Sequence, residues 1–146
     1  MAELSSLLSQ PRRDDVVADL ARLAETTVEE LGGLTGAGAR TALAAAKKSR
    51  PHVVTAGIDR VLPDLVAALE ELWGNYQSSA VSDFGVFLDN NSPLAIDVLL
   101  EAADRNVEGS SNSVVKRGYG AVRGKAEKHL KPVLPELGRT LEKHTA

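Results

Sequence analysis

The sequence contains no cysteine, which removes a disulfide framework, a cysteine nucleophile and every thiolate metal site. Aromatic residues number five and isoleucines two, against an abundance of alanine and leucine, a mixture that suits helices better than strands. Charge or proline interrupts the apolar stretches every few residues, so nothing approaches the run of roughly 20 apolar residues that a membrane span needs. The N-terminus, Met1 to Leu8, lacks a basic segment ahead of its leucines, and Arg12 and Arg13 follow rather than precede them. No signal peptide and no membrane association are expected, and the expected compartment is the cytoplasm.

What is present is helical periodicity. Val16, Val17, Leu20, Leu23, Ala24, Thr27, Val28 and Leu31 recur at steps of three and four, with Ser9 as an N-cap candidate and Gly32-Gly33 as a stop. Residues 36–49 form an alanine-rich segment whose thin face predicts close contact with a neighbour, ending on Lys47, Lys48 and Arg50 before Pro51. Over 52–77 the set Val54, Ile58, Val61, Leu65, Leu69, Leu72 and Tyr76 keeps phase through Pro63, which predicts one kinked helix. A short helix is expected at 83–88. Ser92-Pro93 resembles an N-cap followed by a first-turn proline, opening a helix to about Val107, and Gly109 to Asn112 reads as a turn. The set Val115, Tyr119, Val122, Ala126, Leu130, Val133, Leu137 and Leu141 follows, with a kink or break at Pro132 and Pro135. The expectation is an all-α single domain over residues 1–146, a bundle of about five to seven helices.

Two string pairs suggest similar halves at 11–77 and 93–144: Pro11 to Val17 with Pro93 to Leu99, and Val61 to Leu65 with Val133 to Leu137. Charge alternates along the chain as well. The net value is −3 overall, but −4 over 1–39, +4 over 40–61, −7 over 62–105 and +4 over 106–146.

Motifs for chemistry are weak. The glycines from Gly32 to Gly38 lie before a helix, yet a phosphate loop follows a strand and would place lysine where Ala39 stands. His52, His129 and His144 lack the spacing of a metal-binding helix pair and read as surface or helix-end residues. The pairs Asp14/Asp15, Glu29/Glu30 and Glu70/Glu71 diverge by about 100° within each pair and read as solvated faces. No serine lies in a nucleophile elbow. No metal and no organic cofactor is expected.

Two clusters remain as candidate sites. Lys116, Arg117, Tyr119, Arg123, Lys125 and Lys128 offer a basic run with an interleaved aromatic, suited to an anionic partner; the same residues also read as a buried helix with a basic outer face. In that second reading Gly120 and Gly124 allow a close helix crossing. Trp73, Tyr76, Phe84 and Phe87 are four of the five aromatics within fifteen residues, a candidate protein-binding group or the filling of a helix junction.

The segments Ala2 to Leu8, Ala45 to Pro51, Arg60 to Asp64 and Gly120 to Lys125 resemble a family of short, uncharacterised helical proteins from actinobacteria, over nearly the whole chain. That resemblance implies a helical fold and no site residue. The leading functional expectation is a non-catalytic helical module acting through protein–protein contact or self-association, since the alternating charge suits complementary surfaces. Its rivals are a weak nucleic-acid or polyanion binder through the 116–131 face and an enzyme whose site only folding assembles. Tight nucleic-acid binding is not expected from a chain of net negative charge.

Overall fold

The computed structural model describes residues 3–30, 33–109, 116, 117, 119, 120, 123, 124 and 126–145. Among these the regular structure is helical, with no strand, and the expected all-α class is observed. A 3-10 turn (Leu4–Leu8) leads into α1 (Arg12–Glu30), α2 (Gly33–Ser49) and α3 (Val53–Gln77). Then come α4 (Phe84–Asn90), α5 (Ser92–Glu108), α6 (Ala126–Leu130), a second 3-10 turn (Lys131–Val133) and α7 (Leu134–Thr145).

The core follows helical phase. On α3, Pro63 sits inside one continuous helix, as expected. The buried residues Leu62, Val66, Leu69, Leu72 and Trp73 nevertheless turn the face away from the expected set, of which Val54, Ile58, Val61, Leu65 and Tyr76 are half-buried. On α7, Leu134, Leu137, Gly138, Leu141 and Thr145 make the matching face. The N-terminal turn joins them: Leu4 and Leu7 are fully buried against α3, α1 and α7. Each such leucine stabilises the fold by roughly 1.5–3 kcal/mol through loss of apolar surface from water.

The tightest crossing is α4 on α7. A Cβ built on Gly138 would lie 2.5 Å from Gly85 Cα, and one built on Gly85 would lie 2.2 Å from the carbonyl oxygen of Pro135. Two glycines in register therefore let the backbones touch. The sequence had pointed to Gly120 and Gly124 for such a crossing. There Gly120 has open space around its Cβ position and Gly124 meets only the Gly120 carbonyl at 3.8 Å, because these residues face outward.

Several expectations shift. The glycines after Gly33 belong to α2 itself, which starts at Gly33 with φ 68°, a left-handed value that glycine adopts without strain. Among the described residues of that helix Gly36 and Ala39 are buried and Ala42, Leu43 and Ala46 half-buried on the same side, where the helix meets α1 and α3, while Ala37 and Ala45 are exposed. Asn91, not Ser92, precedes α5, with Pro93 in its first turn. At Pro132 and Pro135 the chain breaks into α6, a 3-10 turn and α7, since neither proline has an N–H for the helical ladder. Leu31, Gly32, the turn at Ser110-Ser111-Asn112, and Val115 and Val122 lie outside the described residues.

The proposed halves are not arranged alike. In the first, α1 lies directly on α3; in the second, α5 leans on α3 while α7 packs on α4 and α1. Matching strings in different surroundings do not make a structural repeat.

Candidate functional site

The basic run lies beside α5. Tyr119 is half-buried, and its hydroxyl donates to Asp104 Oδ1 at 2.5 Å; Arg123 reaches the same carboxylate with Nε at 3.0 Å and Nη2 at 2.9 Å. One α5 aspartate thus holds an aromatic and a guanidinium one helical turn apart. The tyrosine and arginine hydrogen bonds hold the Asp104 carboxyl below the usual range. Burial, then the neighbouring carboxylate, pushes the Tyr119 phenol upward, and the same carboxylate raises Arg123. Tyr119 and Arg123 are therefore engaged within the chain. Lys116, Arg117 and Lys128 are exposed, and Lys125 lies outside the described residues.

Next to this segment is an open hollow of about 790 Å³ lined by Asp89, Gly124, Glu127, Lys128, Lys131, Pro132 and Pro135. Its lining comes from the proline break: Lys131, Pro132 and Pro135 belong to the stretch between α6 and the first turn of α7, Glu127 and Lys128 to α6, and Gly124 to the residues before it. Asp89, near the end of α4, also lines it. His129, on another face of α6, stands at the helix end, one of the two expected places, but is buried rather than at the surface, with Nε2 unpartnered among the described residues.

The four aromatics line the α3–α4 junction. Trp73 and Phe84 meet edge to face at 4.9 Å, and Tyr76 lies 5.4 Å from Phe84 and 5.8 Å from Phe87. Trp73, Phe84 and Phe87 are buried and Tyr76 is half-buried, so the group fills the joint between helices. Glu142 of α7 completes it, accepting from the Tyr76 hydroxyl and from the Phe84 backbone N–H at 3.1 Å. Burial first, then Glu142, pushes the Tyr76 phenol up to about 12. Asp83 caps α4 through Val86 N–H at 2.7 Å.

A further charged group ties α1 to α7. His144 Nε2 and Lys143 Nζ lie 2.6 and 3.1 Å from Asp19 Oδ2, and Arg22 approaches Oδ1 at 3.0 Å. The His144 and Lys143 hydrogen bonds hold Asp19 at about 2. Sequence spacing missed this group because 125 residues separate Asp19 from His144. The Tyr119/Arg123 spacing of four was a legible sign of a shared face; its α5 partner was not. Among the described residues no group of three or more His, Cys, Asp or Glu is placed to hold a metal ion. Among them, too, no helix is long and apolar enough to cross a membrane.

These features define an all-helical protein with an open, charge-rimmed hollow beside a basic segment. The chain belongs to a family of unknown function, DUF6918, whose model matches residues 4–145. No curated protein and no solved structure matches it.

Proposed function

We propose that this protein is a non-catalytic helical module that works by contact with another protein, in the cytoplasm and in an actinobacterial lineage. The observation that carries the reading is the hollow, open to solvent and lined by two prolines together with two lysines and two carboxylates. An apolar centre with a polar rim is the anatomy of a protein contact. A photo-crosslinking residue at position 131, with one at position 71 on α3 as control, tests this in cells of the source organism. A discrete protein adduct at 131 alone is expected. No adduct, or adducts to nucleic acid only, overturns the reading.

A second reading has one observation in its favour. Lys116, Arg117, Lys128 and Lys131 are exposed and in no ion pair among the described residues, as an anion-binding face requires. Under that reading the partner is a polyanion, and binding weakens steeply with salt.

A further inference from the structure

On α5 the outward positions Leu94, Asp97, Glu101, Arg105 and Glu108 fall within about 80° of one another and are all exposed. Leu94, 51% exposed, is the exposed large hydrophobic residue among those described. The stripe carries three carboxylates against one guanidinium, and none of them is in an ion pair among the described residues. The cations Lys116, Arg117, Lys128 and Lys131, exposed and in no ion pair among the described residues, belong to the stretch that Tyr119, Arg123 and α6 join to α5. The Asp104 bonds to Tyr119 and Arg123, together with the contact between α5 and α6, hold the two surfaces side by side.

Two adjacent patches of opposite sign are self-complementary: a two-fold axis passing between them lays each on its counterpart in a second copy. We infer that the partner is a second copy of this chain, the α5 stripe of one protomer resting on the basic face of the other and the reverse. An acidic partner of another kind would engage the cations but be repelled by the neighbouring stripe. A second copy satisfies both. The 17 residues of α5 span roughly 25 Å, close to the breadth of a patch of about 800 Å² per partner, as a standard interface needs. Leu94 supplies the apolar anchor at one end.

This inference rests on the protein-contact reading and names its partner. Its test is sedimentation at about 50 mM and about 500 mM salt, conditions that bracket the screening of exposed charges. The wild type is expected to dimerise at low salt and to bind itself at least about tenfold more weakly at high salt. The Asp97→Lys, Glu101→Lys variant and the Lys128→Glu, Lys131→Glu variant should each be monomeric. Mixed, they should form a heterodimer, because the first then carries two basic surfaces, one of which meets the intact acidic stripe of the second, whose own basic face has its charge cancelled. All four positions are exposed, and circular dichroism checks that each variant is folded; Asp97→Asn, Glu101→Gln replaces the first if it is not. A monomeric wild type at low salt, a dimer indifferent to both reversals, or a mixture that stays monomeric overturns the inference. A monomer that still gives a protein adduct at position 131 leaves the wider reading standing with a different partner.

Discussion

A methyl group on Gly138 would sit 2.5 Å from Gly85 Cα and 2.7 Å from the Phe84 carbonyl carbon, and backbone on both sides leaves no flexible side chain to yield. Gly138→Ala is therefore expected to destabilise the fold by about 2 kcal/mol or more, as overpacking does. Gly74 makes the contrast: nothing lies within 4 Å of its Cβ position, on an exposed turn of α3. Gly74→Ala should raise stability by about 0.5–1 kcal/mol through helix propensity. Urea denaturation of the two variants measures both signs. Equal shifts in the same direction would contradict the glycine-on-glycine contact.

Elements are joined by a few polar groups that reach across them. Glu142 of α7 serves α3 through Tyr76 and α4 through Phe84 N–H, so Glu142→Ala leaves a half-buried hydroxyl and an N–H unpaired. A loss of about 1–3 kcal/mol is expected. In a double-mutant cycle Tyr76→Phe should cost less once Glu142 is gone. Between α1 and α7 the Asp19 group acts through charge. Asp19 titrates at about 2 in the fold against 3.8 ordinarily, so the folded form binds its proton more weakly than the unfolded chain. Its contribution is present above about pH 4 and is lost as pH falls through about 2. Asp19→Asn should therefore be less stable than wild type near neutral pH, by about 1–2 kcal/mol for a half-buried carboxylate held by one half-buried and two exposed partners. Denaturation midpoints at both ends of that range should converge in acid, and a gap independent of pH would exclude this account.

At the scale of the whole molecule, much of the alternating charge is satisfied within the chain. Lys47 pairs with Glu25, Arg13 with Asp59, Arg123 with Asp104, Arg139 with Asp83, and Lys143 with Asp19, each joining segments of opposite net sign. Among the described residues in no ion pair are the cations of the basic face and the charged positions of the α5 stripe. The stripe lies next to the cations, so a polyanion should meet repulsion as well as attraction. Titration with labelled single- and double-stranded oligonucleotides is expected to show only weak binding that vanishes by physiological salt. Submicromolar affinity there, lost when Lys116, Arg117, Lys128 and Lys131 are neutralised together, would replace the protein-contact reading with the polyanion one.

The sequence by itself determined the helical class and most of the elements, because the three-to-four step of apolar residues is a local property of a helix. Continuity through Pro63 and the short helix after Asp83 were legible for that reason. The tertiary structure alone decided which helices touch. The crossing at Gly85 and Gly138, the burial of Leu4 and Leu7, and the pairing of Asp19 with His144 all depend on residues remote in sequence, and local spacing carries no record of them. The candidate site divides along the same line. The basic run could be read directly, whereas its division into Tyr119 and Arg123, held by Asp104, and the lysines left free required α5 to be folded against it.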